Sequence, residues 1–250
     1  MNLVNKKIGG HLLADQLEIN GVDTIFCVPG ESYLGLLDGL YNHNQNIRLI
    51  TTRHESGAAN MADAYAKLTN KPGICLVSRG PGATNASNGI HTAYQDSTPL
   101  ILLIGQVSRN ERDREAQQEI DYKEMFKPMA KYVAEINDAN RIPEFINKAF
   151  YISQSGRPGP VVLSLPEDML IDEVTAQPVP ASKIVQASPS VGDVEDFYER
   201  LKLAKKPIII VGGNTWSQDA INKVKDFVNK NSIPVLTSYR AQDRFDNRND

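Results

Sequence analysis

Three short stretches hold residues whose types and spacing could do chemistry. They are "VPGES" at 28–32, "TTRHES" at 51–56 and "VSRGPGATN" at 77–85. In each, an apolar run ends and a helical pattern begins. Pro29-Gly30 turns sharply out of a strand, Glu55 stands between a strand end and a helix start, and Gly80-Pro81-Gly82 leads into a helix. Open parallel sheets bind ligands at the carboxyl ends of their strands, so adjacent strands would bring these loops to one rim. Taken one at a time, each has a plainer reading. Gly-Pro-Gly is first a turn device, and it lacks the lysine and spacing of a Walker A loop. No Gly-x-Gly-x-x-Gly follows the first strand, which disfavours a nicotinamide-dependent dehydrogenase. A glutamate at a helix N-terminus is favoured by the macrodipole alone, and His54 reads most simply as a partly buried or interface histidine.

The elements that must position these loops alternate regularly. "DTIFCVP", "RLITT", "GICLVS", "PLILLIGQV" and "GPVVLSLP" read as strands. Between them lie helical patterns in "YLGLLDGLYNH", in the segment after Glu55, and in "TNASNGIHTAYQD". "RIPEFINKAFYISQ" places Ile142, Phe145, Ile146, Ala149 and Ile152 on one helical face, and Ile8, Leu12, Leu13 and Leu17 do the same near the N-terminus. After Glu55, Ala58, Met61, Ala62, Tyr65 and Leu68 follow helical spacing and read as core or interface packing, with small residues that allow a second helix close approach. The strands are continuous apolar runs, which implies burial on both faces and hence a parallel sheet covered by helices. The expected fold is α/β, a doubly wound parallel sheet over 1–172. Residues 173–192 lose the periodicity, gather Pro, Ser, Ala and Gln, and read as a linker. An incomplete Rossmann-like α/β unit occupies 193–250, with strands in "KPIIIVGG" and "IPVLTS" around the helix "DAINKVKDFVNK". Two parallel strands cannot cover a sheet or bury a stable core, so this unit is expected to be completed by further sequence or another chain.

Bulk composition excludes several classes. A net charge of −3 over 250 residues, with no Lys/Arg cluster, offers no footprint for nucleic acid. The longest apolar runs are too short to span a bilayer, and the N-terminal segment carries Asp, Gln and Glu where a secretory signal would be apolar. Cys27 and Cys75 both lie in apolar strands and read as buried small hydrophobes, not as a disulfide or metal site. The protein reads as cytoplasmic.

In this order and wording, the three loops resemble the pyrimidine-binding domain of thiamine-diphosphate enzymes, in the acetolactate synthase-like branch. The resemblance rests on "VPG", "RHESGAANMADAYAKLTNKPGICLV", "GPGATN", "TAYQDSTPLILLIGQV", "QEID" and "GRPGPVVLSLPEDM". It covers residues 1 to about 172, and the unit after 193 resembles the start of that family's middle domain. It implies that Glu55 hydrogen-bonds the N1′ nitrogen of the cofactor's aminopyrimidine, favouring the imino tautomer that removes the thiazolium C2 proton. It further implies that Pro29 and Gly30 line the cofactor pocket through their backbone. Ser78, Pro81 and Asn85 would surround the pyrimidine, Gln118 would approach the substrate, and Glu31 and Tyr33 would stand at the pocket mouth. Arg79 departs from the small residue usual before Gly-Pro-Gly, and Gln117 from a common aromatic. Both bear on the substrate side, where Arg79 could pair with a substrate carboxylate or equally form a surface ion pair.

By the same resemblance the chain is the N-terminal part of a thiamine-diphosphate-dependent carboligase or decarboxylase of 2-oxo acids. The leading case joins two pyruvate molecules to acetolactate with loss of CO2. The cofactor would lie between subunits of a homodimer or tetramer, so the fragment alone is expected to be inactive. Mg²⁺ would be held by a Gly-Asp-Gly…Asn motif that does not occur in this sequence, so no metal ligand is assigned. "VGGNTWS" is compatible with FAD without demonstrating it. The alternative is a non-catalytic pyrimidine-domain module, or a split-enzyme subunit requiring a partner chain.

Overall fold

Strands that are apolar at every position need cover on both faces, and the fold supplies it. The computed structural model describes residues 7–43, 46–213, 216–246 and 248, in two units, Met1–Ile184 and Val185–Asp250. In the first unit, helix α1 (Gly9–Ile19) leads to strand β1 (Thr24–Cys27), helix α2 (Leu34–Asn42), β2 (Arg48–Thr51) and α3 (Glu55–Thr69). Then come β3 (Gly73–Val77), α4 (Pro81–Asp96), β4 (Leu100–Gln106), the short α5 (Tyr122–Phe126) and β5 (Tyr132–Glu135). Helix α6 (Ile142–Gln154), β6 (Pro160–Pro166) and α7 (Glu167–Leu170) complete it. The six strands are all parallel in the order β2-β1-β3-β4-β6-β5.

Alternate residues of β1, β3, β4 and β6 feed different cores. By contrast β2, at one edge of the sheet, leaves Arg48, Leu49 and Thr51 exposed and is not buried on both faces as expected. Ile25, Ile74, Leu76, Ile101, Leu103, Val161 and Leu163 pack with α1, α2 and α6 on one face. Phe26, Cys75, Val77, Leu102, Ile104 and Val162 pack with α3, α4 and α5 on the other. The doubly wound α/β sheet is therefore as expected, with one addition. Strand β5 is not signalled by the periodicity, because only four residues, YVAE, pair at the sheet edge. A partly exposed edge strand lacks the continuous apolar run by which its neighbours are legible.

Close packing sets the helix spacing. A Cβ on Gly10 of α1 would fall 2.0 Å from the carbonyl oxygen of Gly35 in α2. On the other face, a Cβ on Gly89 of α4 would meet Ala59 Cβ of α3 at 2.5 Å. The apolar positions of α3 divide between two directions. Ala58, Ala59, Ala62 and Ala66 are buried, whereas Met61 is 41% and Leu68 85% exposed. Cys27 and Cys75 are free thiols inside the sheet, where burial pushes both above their ordinary values.

The segment after β6 stays on the first unit for a stretch. Gln16, fully buried in α1, donates to the carbonyl of Val179 at 2.9 Å and accepts its N–H at 2.8 Å. The second unit contains α8 (Val191–Leu203), β7 (Ile209–Val211), α9 (Gln218–Asn231) and β8 (Val235–Thr237), the two strands pairing in parallel. Asn214 and Thr215 of the "VGGNTWS" stretch lie outside the described residues, as do 1–6 of the N-terminal stretch. No helix among the described residues is long and apolar enough to cross a membrane.

At the amino end of the sheet, Asp23 accepts from Lys71 Nζ at 2.8 Å and from the Tyr65 hydroxyl at 2.5 Å. The hydrogen bond from Lys71, seconded by Tyr65, holds its carboxyl down to about 2. A depressed folded value means stability that is fully present above the unfolded pKa, near 3.9, and lost as pH falls through the folded value. Asp23→Asn should therefore flatten the fall in unfolding midpoint between about pH 4 and pH 2. Urea titrations of both proteins across that window check this, and superimposable pH profiles would refute it. The effect is expected to be modest, because the pair is half exposed and screened by solvent.

Candidate active site

The chain order reverses between β1 and β3: from β1 it passes outward to β2, and α3 then carries it back across to β3. A reversal of this kind opens a crevice at the carboxyl ends of the two central strands. The loops after β1, β2 and β3 all leave at that end, so "VPGES", "TTRHES" and "VSRGPGATN" share one rim.

The first and third loops meet directly. A Cβ on Gly30 would lie 2.8 Å from Ser78 Cβ, so only glycine allows this approach. Beneath it the Ser32 and Ser78 hydroxyls hydrogen-bond at 2.8 Å. Tyr33 closes the floor, fully buried, its hydroxyl donating to the carbonyl of Val28. Burial pushes that hydroxyl well above its ordinary value.

Glu55 opens α3. Its N-cap is His54, whose Nδ1 accepts the Ser56 N–H at 3.2 Å, satisfying one of the free amides of the first turn. A carboxylate in that turn is favoured by the helix dipole. What exceeds capping is the partner. Asn85, on α4, donates its side-chain amide to Glu55 Oε2 at 2.9 Å. The other oxygen, Oε1, lies 3.6 Å from where a Cβ on Gly82 would stand, and takes no hydrogen bond from the described residues. One oxygen is anchored and one is open, at the rim and partly shielded from water. Such a carboxyl can accept or share a proton with a ring nitrogen while its orientation stays fixed.

The elbow between β3 and α4 is held from behind. Gly80 has φ +59° and ψ −113°, and a Cβ there would sit 2.6 Å from Gln118 Cβ and 2.9 Å from the Gln118 carbonyl oxygen. Gln118 itself has φ +67°. The Gly80 N–H donates to the buried Tyr122 hydroxyl at 2.9 Å. Pro81 then starts α4 at its first turn, where its missing N–H has no helical partner to lose. Glu119 steadies the loop behind by accepting the N–H of Asp113 at 2.9 Å and of Ala116 at 3.3 Å. These backbone donors, with Asp113 foremost, hold its carboxyl below the usual range.

The residues singled out in the sequence fall into two groups. Gly30 with Ser78, Glu55 with Asn85 and Gly82, and Gly80 with Gln118 are brought together, while Pro29, Pro81 and Glu31 are exposed on the rim loops. Two others make their contacts within the chain. Tyr33 is a core residue, because its ring packs under the loop and its hydroxyl is used by Val28. Arg79 forms an ion pair with Glu167, Nη1 to Oε2 2.8 Å. Gln117 is exposed beside Gln118. Ser32 and Glu167, though inside the quoted "VPGES" and "GRPGPVVLSLPEDM" stretches, are not singled out by the sequence, and Ser108 and Tyr122 lie outside every quoted motif. Ser32, Tyr122 and Glu167 bond to residues of the rim loops, and Ser108 bonds to Glu167. Only Tyr122 carries a local hint, as the residue immediately after "QEID".

Comparison with known proteins agrees with this geometry. Residues 7–125 match the family model "Thiamine pyrophosphate enzyme, N-terminal TPP binding domain", and residues 194–250 match "Thiamine pyrophosphate enzyme, central domain". An "Acetolactate synthase" from Arthrospira platensis is 35% identical over 97% of this chain and 43% of its own length. An "Acetolactate synthase large subunit" from Lactococcus lactis subsp. lactis is 37% identical over 92% of this chain and 40% of its own. The "Acetolactate synthase isozyme 3 large subunit" of Escherichia coli is 34% identical over 92% and 41% respectively. The chain thus spans about two fifths of the length of the curated relatives it matches. The all-parallel sheet, the carboxylate at the head of α3 and the glycine elbow all lie within or beside the first matched segment. With the central-domain model following it in chain order, this chain belongs to the thiamine pyrophosphate enzyme family.

Proposed function

We propose that the chain is the N-terminal part of a thiamine-diphosphate-dependent carboligase or decarboxylase of 2-oxo acids. The leading activity is condensation of two pyruvate molecules to acetolactate and CO2. The observation that carries the reading is the Glu55 carboxyl, anchored by Asn85 on one oxygen and open on the other at the β1/β3 crevice.

The residues present fit the cofactor's pyrimidine half. An open carboxylate oxygen opposite a glycine offers both a proton partner and room for a flat ring. Pro29 and Gly30 would hold it through their backbone, and Ser78, Pro81 and Asn85 would surround it. When bound, the cofactor supplies the carbanion chemistry, as cofactors of this kind do. The chain's own part is orientation and proton control. Glu55 holds a proton at Oε1 while Asn85 fixes Oε2, so the proton is shared along one direction. Gln118 and Glu31 would face the substrate side.

Mg²⁺ would accompany the diphosphate. Among the described residues no group of three or more His, Cys, Asp or Glu side chains could hold it. Its ligands are therefore proposed to lie in the part of the relatives' length that this chain does not span. The exposed Met61 and Leu68 on α3 support a homodimer or tetramer with the cofactor between subunits. We place the protein in the cytoplasm, where pyruvate is available.

The test is an assay of the complete protein with pyruvate, thiamine diphosphate and Mg²⁺. Acetolactate and CO2 should form in a ratio of one to one, and only with the cofactor present. Cofactor binding without pyruvate turnover would sink the acetolactate assignment. Absence of cofactor binding would sink the catalytic reading and leave a non-catalytic module in its place.

A further inference from the structure

Arg79 sits between the two residues that shape the crevice, Ser78 against Gly30 and Gly80 against Gln118. Its side chain reaches to the head of α7, just after β6, two strands along the sheet from β3. Nη1 lies 2.8 Å from Glu167 Oε2, with the arginine side chain 18% and the glutamate 34% exposed. The second carboxylate oxygen, Oε1, accepts the Ser108 hydroxyl at 3.0 Å. Ser108 follows β4, Glu167 follows β6, and Arg79 follows β3, and these three strands are neighbours in the sheet. The side-chain links therefore cross three successive strand ends. The arginine's Nε is buried with no hydrogen-bond partner among the described residues, so the Glu167 pair is the contact that holds the guanidinium.

We infer that Arg79 is a positioning residue, tied by Glu167 so that the Gly80–Pro81 elbow holds its place beside Glu55 and Asn85. A carboxylate already matches the guanidinium charge, and Glu167 is held in place by its own chain. A substrate carboxylate arriving from solution would have to displace a tethered competitor of the same chemistry. Arg79 thus acts on the cofactor's pyrimidine side through the elbow, and the 2-oxo acid's carboxylate is bound elsewhere. The inference rests on the thiamine-diphosphate reading for its functional consequence, but its structural part stands without it.

Glu167→Gln separates the alternatives, because the two roles move different parameters. In the complete protein, the tie predicts that Glu167→Gln and Arg79→Lys each raise the half-saturating thiamine diphosphate concentration about tenfold. At saturating cofactor, KM for pyruvate should change less than twofold. The double variant should be no worse than the weaker single, as residues sharing one interaction are non-additive. A fall in pyruvate KM for Glu167→Gln would mean that a freed arginine recruits the substrate, and would overturn the inference. Independent, multiplying effects of the two substitutions would overturn it as well.

A second readout needs no activity. Hydrogen exchange of the Gly80 and Gly82 amides, measured without cofactor, should quicken about tenfold in Glu167→Gln, and unchanged protection would refute the tie. If wild type binds no thiamine diphosphate, this measurement still decides the structural claim while the functional reading fails separately. Should Glu167→Gln not fold, Ser108→Ala removes one donor from the same carboxylate, and the same exchange test is read on it.

Discussion

Glu55→Gln in the complete protein should lower turnover by about 10²–10⁴-fold, the range attached to a positioned general acid or base. The change is nearly isosteric. The new side chain keeps an oxygen to accept the Asn85 amide, now 2.9 Å from Glu55 Oε2. It keeps its place in the first turn of α3, losing only the favourable charge at the helix N-terminus, about 0.3–1 kcal/mol. What it cannot do is take up and release a proton. The thermal midpoint should therefore stay within a few degrees of wild type, while kcat collapses and pyruvate KM changes little. Steady-state kinetics beside a melting curve decide the matter. Near-wild-type turnover would remove Glu55 from the mechanism, and a matching loss of folding would reduce it to a helix cap. Asn85→Ala is the natural companion, since it frees Oε2 without touching the carboxyl.

Gly80→Ala should damage the site by a different route. At φ +59° and ψ −113° the backbone occupies a region that side-chain-bearing residues rarely adopt, and the added methyl would stand 2.6 Å from Gln118 Cβ and 2.9 Å from its carbonyl oxygen. Strained φ/ψ costs about 1–3 kcal/mol, and overpacking costs about 1–3 kcal/mol more. Relief requires the elbow to move off Gln118, and such a movement breaks the Gly80 N–H bond to Tyr122. A fall in melting temperature of roughly 5–15 °C is expected for a unit of this size, together with loss of cofactor affinity. Gly82→Ala is the internal control. Its Cβ would meet only ordinary contacts, the nearest being Ser78 Cβ at 3.5 Å, so stability should hardly change. Equal melting temperatures for Gly80→Ala and wild type would show that the elbow is not as constrained as its contacts indicate.

Much of this protein is legible in its amino-acid sequence. Continuous apolar strands such as "ICLV" and "LILLI" can only be buried on both faces, and that requirement by itself yields a parallel sheet between helices. Parallel connections must cross over, so the three loops carrying Pro29-Gly30, Glu55 and Gly80-Pro81-Gly82 have to emerge at one end. Glycine's tolerance of close approach and positive φ marks the elbow. These features are local, a period or a residue type, and a sequence states them directly.

Tertiary structure alone decides where the side chains point. Asn85 stands 30 positions from Glu55, Tyr122 42 from Gly80 and Glu167 88 from Arg79. No periodicity links such pairs, because each is created when strands distant in sequence become neighbours in the sheet. Thus Arg79 finds a carboxylate on the far side of β4 instead of open solvent. Tyr33, which follows an exposed glutamate by two positions, goes into the first core cluster, where its hydroxyl donates to the carbonyl of Val28. The sequence by itself determined which end of the sheet gathers the three loops and which residue types stand there. Only the packed structure determined which of them face one another, since a side chain's direction is set by partners that the chain brings near only on folding.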